Sequence, residues 1–88
     1  MSLYILSLDQ GTTSCRSILF DKRGVVIAAA QKEFTQIFPK PGWVEHNPVE
    51  IFESQLATAK EVMAIANISA SDIAVIHLGH QFVILFPL

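Results

Sequence analysis

The chain lacks the pair of cysteines that an internal disulfide requires. Cys15 is its single cysteine, a usage that fits a reducing compartment. Positive charge is not in surplus either. Six lysines and arginines stand against eight acids, for a net charge of −2, which supports neither a nucleic-acid partner nor an anionic membrane surface. No basic segment precedes the first apolar run, and that run ends at Asp9, so a secretory leader is not expected. No apolar run approaches bilayer-spanning length. A soluble cytoplasmic protein is the expectation. Two phosphate-binding signatures are missing as well. No Gly-Lys-Ser/Thr follows the glycine-bearing loop, and the dinucleotide fingerprint is absent.

What is there is concentrated between Tyr4 and Phe20. Tyr4 to Leu8 is short and rich in strand-favouring residues, and Ile18 to Phe20 repeats that character. Between them lie an acid, a glycine, three hydroxyl residues and an arginine. A strand, a tight polar loop and a returning strand are the simplest reading. Gly11 allows close backbone approach to a ligand. Thr12, Thr13 and Ser14 offer hydroxyls and amides suited to phosphate oxygens. Asp9 suits a hydrated magnesium ion, which prefers oxygen ligands, and Arg16 adds a permanent positive charge. An ordinary hairpin turn is the competing reading, because the same residue types dominate turns.

Leu8 to Arg16 resembles the first phosphate loop of the FGGY carbohydrate kinases, within the actin-like ATPase superfamily. A second block, Pro39-Lys40-Pro41-Gly42-Trp43-Val44-Glu45-His46-Asn47-Pro48, is most similar to the glycerol kinases of that family. Both blocks sit at the family's spacing, and the resemblance runs from about Tyr4 to Ile76. It implies an α/β fold: part of an actin-like, ribonuclease H-like domain, with a three-strand antiparallel meander, one crossover helix and a further strand. It also implies ATP and Mg2+ as cofactors, ATP or ADP as ligand and glycerol as acceptor in the complete enzyme. Thr12, Thr13, Ser14 and Arg16 then fall at the nucleotide phosphates and Asp9 at the magnesium. The resembled enzymes are several times longer and have two domains, so this 88-residue chain reads as a piece of the N-terminal one. A core of this size is marginal. The catalytic aspartate lies in later family sequence, so no catalytic residue is assigned here.

Along the chain, Asp21-Lys22-Arg23-Gly24 forms a turn, and Val25 to Ala30, extending towards Phe34, reads as a third strand. Pro39, Pro41 and Gly42 break the next stretch into a loop, in which Trp43 is expected to cover the core edge. Neither Glu45 nor His46 receives a catalytic role. Asn47-Pro48-Val49-Glu50 starts a helix, with Asn47 as cap and Glu50 reaching back as in a capping box. Phe52, Leu56, Ala59, Met63 and Ala66 make an apolar stripe expected to pack on the sheet. Asn67 is the expected helix end. Ile73 to Ile76 is a fourth strand, parallel to its neighbour through a right-handed crossover. Cys15, beside an anion site, has either a lowered pKa or a filler role in a strand, and the second is favoured.

From His77 the chain leaves the family pattern. The family's Gly-Ile-Thr-Asn-Gln-Arg-Glu block is replaced by His77-Leu78-Gly79-His80-Gln81-Phe82-Val83. Gln81 alone matches, and the two positions that hold glycerol fall on Phe82 and Val83, which cannot exchange hydrogen bonds with a polyol. The chain thus divides into 1–76, a partial kinase domain, and 77–88, a divergent apolar tail. That tail is either a genuine buried strand or read-through after a frameshift or gene-boundary error, with the second preferred. His77 and His80 have no third ligand in view, so a metal site there is not expected.

Overall fold

The computed structural model describes residues 3–11, 13–35, 47–79 and 81–84. Thr12, Trp43, His46 and His80, together with the rest of the proline-broken loop, lie outside the described residues. The chain forms β1 (Tyr4–Gln10), β2 (Ser14–Asp21), β3 (Val26–Glu33), α1 (Pro48–Ala66), a short 3-10 turn (Ala70–Asp72), β4 (Ile73–Leu78) and β5 (Gln81–Ile84). The strands make one sheet in the order β3-β2-β1-β4-β5. β1, β2 and β3 are an antiparallel meander, β4 joins β1 in parallel, and β5 pairs antiparallel with β4. The meander, crossover helix and parallel fourth strand match the expected architecture.

Strand alternation sorts the sheet into two faces. Leu6, Cys15, Leu19, Ala28 and Ala30 point to one side and are buried beneath α1, with Ala59, Val62 and Ile73 completing the core. The second hairpin is closed by Asp21. Its carboxylate accepts the amides of Arg23 at 2.8 Å and Val25 at 3.0 Å, while Gly24 takes a φ of 83° that side-chain-bearing residues rarely adopt. Those amides hold the Asp21 carboxyl below its usual pKa, the Val25 bond contributing most.

α1 begins as the sequence implies. Asn47 Oδ1 accepts the amides of Val49 and Glu50, Pro48 follows, and Asn67 ends the helix in the left-handed conformation. Glu50 corrects one expectation. Its carboxylate accepts the amide of Thr35 rather than closing a capping box on Asn47, and so ties the helix start to the end of β3. That bond lowers the Glu50 pKa.

The apolar stripe is corrected in its first half. Ala59 is buried and Met63 and Ala66 pack against the core as expected, whereas Phe52 is 66 % exposed and Leu56 41 %. Ser54 and Thr58 are buried instead, so the contact face over that half is rotated from the expected stripe. The physical reason is close approach. The opposing strand positions are Cys15, Ser17, Ala28 and Ala30, and small residues on both surfaces let the helix settle near the sheet. Hydrophobic periodicity follows side-chain size and therefore marks the wrong edge over the first half of the helix.

The seam carries polar groups, and they are connected. Gln55 Nε2 donates to Ser17 Oγ at 3.1 Å and to the Arg16 carbonyl at 3.0 Å. Thr58 Oγ1 lies 2.8 Å from Ser17 Oγ and donates to the Gln55 carbonyl at 2.9 Å. With its one proton committed there, Thr58 must accept from Ser17. The order is Gln55 side chain to Ser17 to Thr58 to Gln55 main chain, a closed loop that leaves neither buried hydroxyl unsatisfied.

Candidate functional site

The turn joining β1 to β2 is where the sequence concentrates the groups suited to phosphate oxygens. Gly11 N–H donates to the Ser14 carbonyl at 2.8 Å, and Phe34 N–H donates to the Thr13 carbonyl at 3.0 Å. The first bond closes the turn, and the second anchors it to the strand end of β3. Gly11 does not have a positive φ, and a Cβ on it would meet the Ser14 carbonyl at 3.6 Å, an ordinary contact. Turn geometry therefore does not demand glycine at this position. The missing side chain instead leaves the floor of the adjoining hollow open.

Strand register assembles the rest. Asp9 pairs with Arg16 across β1 and β2, and Arg16 pairs with Gln31 across β2 and β3. All three alternate with positions buried under α1, so an acid, a base and an amide form a row across the opposite face of the sheet. Arg16 donates to Asp9 at 3.2 Å, with both side chains about half exposed. Gln31 Nε2 donates to Ser14 Oγ at 3.1 Å. Asp9, Gly11, Ser14, Arg16 and Gln31 together line an open hollow of about 210 Å³.

The structure thus brings Asp9, Ser14 and Arg16 to one hollow, with Thr13 in the turn beside it. Thr12 lies outside the described residues. Sequence reasoning missed Gln31, which is twenty-two residues from Asp9 in the chain. Only the meander register, with Arg16 as the shared partner, would have pointed to it.

The donor set fits the groups expected. Arg16, Ser14 and Thr13 can donate to phosphate oxygens, and one oxygen of the Asp9 carboxylate can face a magnesium-bound water. Among the described residues no group of three or more His, Cys, Asp or Glu is arranged to hold a metal ion by itself, so Asp9 would act with phosphate and water as co-ligands. Cys15 sits behind the turn, fully buried, with its sulfur 3.6 Å from the Ile51 carbonyl. Burial raises its thiol pKa, contrary to the activated alternative. The filler role stands. His77, beside β1, is 3.2 Å from Ser7 Oγ through Nδ1.

A family model for the N-terminal domain of the FGGY family of carbohydrate kinases matches residues 4–88. The chain belongs to the FGGY family. As a family member it is 59% identical over 78 residues to a glycerol kinase of Methylibium petroleiphilum, a match covering 89% of this chain and 16% of that protein. Among solved structures, this FGGY chain superposes on the gluconate kinase of Lactobacillus acidophilus with a TM-score of 0.78 at 28% identity, covering 89% of this chain and 15% of that one. Plasmodium falciparum glycerol kinase with ADP gives 0.70 at 25% identity, over 88% and 15%. The chain therefore spans about one sixth of the length of the curated relatives it matches. The FGGY match takes in residues 77–88, where the quoted block departs from the family pattern. Among the described residues no helix is long and apolar enough to cross a membrane.

Proposed function

We propose that this chain supplies the phosphate-and-magnesium corner of an ATP-dependent glycerol kinase, a phosphotransferase forming glycerol 3-phosphate in the complete enzyme. The observation that carries the proposal is the row Asp9–Arg16–Gln31 beside a turn whose Ser14 lines the same hollow. Magnesium, when bound, would neutralise phosphate charge. The chain's own residues do the rest of the local work. Asp9 would hold the ion through its carboxylate, directly or through water. Arg16, resting against Asp9, turns its remaining N–H groups to the phosphate. Thr12, Thr13 and Ser14 donate from the turn.

The high identity to glycerol kinases favours glycerol over other FGGY substrates. Phe82 and Val83 nevertheless stand where glycerol contacts are expected, and neither offers a hydrogen-bonding side chain. With no catalytic base and only part of one subsite, the 88-residue chain alone has no kinase activity, since positioning supplies much of the rate. A cytoplasmic, reducing setting accords with this role and with the buried free thiol.

The test is a Mg-ADP titration of the chain, followed by amide resonances. Shifts confined to Gly11, Thr13, Ser14 and Arg16, weakened in Arg16→Ala and Asp9→Asn, support the reading. Shifts centred elsewhere, unaltered binding in both variants, or ATP-dependent phosphorylation of glycerol by the chain alone would overturn it. A non-catalytic phosphate-binding module is the second reading. It would be favoured if the coding sequence after the Ile76 codon holds no kinase in any frame.

A further inference from the structure

We propose that Gln31 is a positioning residue that fixes Ser14 as an outward-pointing hydrogen-bond donor, so that its proton is offered to an ionised phosphate oxygen entering the hollow. The proposal rests on the phosphate-binding reading above and assigns a role to a residue outside the turn itself.

The argument is one of proton direction. A serine hydroxyl has one proton and two lone pairs, so its environment decides whether it presents a donor or an acceptor. Gln31 Nε2 is a donor only, and it lies 3.1 Å from Ser14 Oγ. Ser14 must therefore accept from Gln31 and send its own proton elsewhere. The open direction is the hollow, whose other lining groups include Gly11, Arg16 and Asp9. An ionised phosphate oxygen can accept there.

Gln31 is well placed to hold this arrangement. It is exposed and sits mid-strand in β3, so it is not part of the core. Its register partner is Arg16, and Ser14 is the diagonal neighbour two residues earlier on β2, within reach of a long side chain on the same face. One strand thus carries both the arginine and the hydroxyl, and the next carries the amide that donates to the hydroxyl.

The experiment has two arms. Without ligand, Ser14→Ala is expected to move one Gln31 side-chain NH2 proton and quicken its exchange, leaving the Gln31 side-chain carbonyl carbon nearly still. Movement of that carbon with the NH2 protons unmoved would mean that Ser14 donates to Gln31, and would overturn the proposal whatever the ligand does.

With ligand, the chain is titrated with ADP and with inorganic tripolyphosphate. Gln31→Glu replaces the donor by an acceptor of the same shape and is expected to weaken binding about tenfold or more. Gln31→Leu is expected to weaken it only a few-fold, because the hydroxyl is then free to rotate. In a Ser14→Ala background Gln31→Leu should lose most of its effect, and Gln31→Glu should keep only the part that its added negative charge causes, which a merely structural role would not produce. Equal binding by wild type and Gln31→Glu, or additive effects of Gln31→Leu with Ser14→Ala, would overturn the proposal. If wild type responds to neither ligand, the phosphate-binding reading and the ligand-directed role of Gln31 built on it both fall. The first arm still decides the proton direction.

Discussion

The closed hydrogen-bond loop beneath α1 makes a quantitative prediction. Thr58→Val keeps volume and branching and changes helix propensity little, but it removes the one acceptor available to the Ser17 proton. Ser17 is wholly buried and Thr58 nearly so, at 0% and 1% exposure, so water cannot replace the lost partner. A buried, unsatisfied hydroxyl donor costs about 2 kcal/mol. In a domain this small, a change of that size lowers Tm by about 10 °C. Ser17→Ala is milder. Thr58 still donates to the Gln55 carbonyl and Gln55 Nε2 still donates to the Arg16 carbonyl, so the loss is about 1 kcal/mol. The double variant has no orphaned proton and should also lie near about 1 kcal/mol, well short of the summed singles. Urea unfolding of the four proteins measures the cycle. If the double variant equals the sum of the singles, or if Thr58→Val is neutral, the proton order Gln55 to Ser17 to Thr58 is wrong.

Other expectations follow from single contacts. Asn47→Ala should remove the cap that accepts two amides and cost about 1 kcal/mol, read as lost stability with frayed amides at Val49 and Glu50. Glu50 and Asp21 both have lowered folded-state pKa values from backbone amides. Their stabilisation is present above the unfolded carboxylate range, near pH 4, and is lost as pH falls through the lowered folded values. Glu50→Gln should therefore flatten the acid limb of a stability-versus-pH curve, and an unchanged limb would count against the Thr35 contact. Cys15, buried with a raised pKa, should resist thiol reagents at neutral pH until urea unfolds the chain. Rapid native labelling would contradict its place in the core.

The meander, the helix start at Asn47-Pro48 and the crossover to β4 were all legible in the sequence because each rests on local chemistry. Asp-Gly-rich turns, a capping amide with a following proline, and short β-branched runs act within a few residues. The candidate site was legible for the same reason where it is local. Asp9, Ser14 and Arg16 belong to one hairpin. Gln31 was not visible because its role depends on which residue of β3 lies opposite Arg16, a matter of register that sequence spacing does not encode. The first half of the buried face of α1 was misjudged for a related reason. Phe52 and Leu56 dominate any hydrophobic pattern, yet the surface that approaches β2 and β3 is set by Ser54, Thr58 and Ala59, whose value lies in being small and in being able to hydrogen-bond. Glu50 was given a local partner and found a distant one.

The parallel pairing of β1 with β4 has a consequence for the order of assembly. β1 lies at the middle of the sheet, yet one of its two neighbours is separated from it by most of the chain: Ser7 and His77 meet across 70 residues. During synthesis the hairpins and α1 emerge first and can associate through short loops, whereas the inner edge of β1 waits for Ile73–Leu78. Closing so long a loop is slow compared with hairpin formation. A chain grown only as far as α1 can therefore pair β1 along one edge alone, and every residue lining the hollow at Asp9 and Arg16 lies within the meander or its first turn, ahead of the strand that covers the other edge.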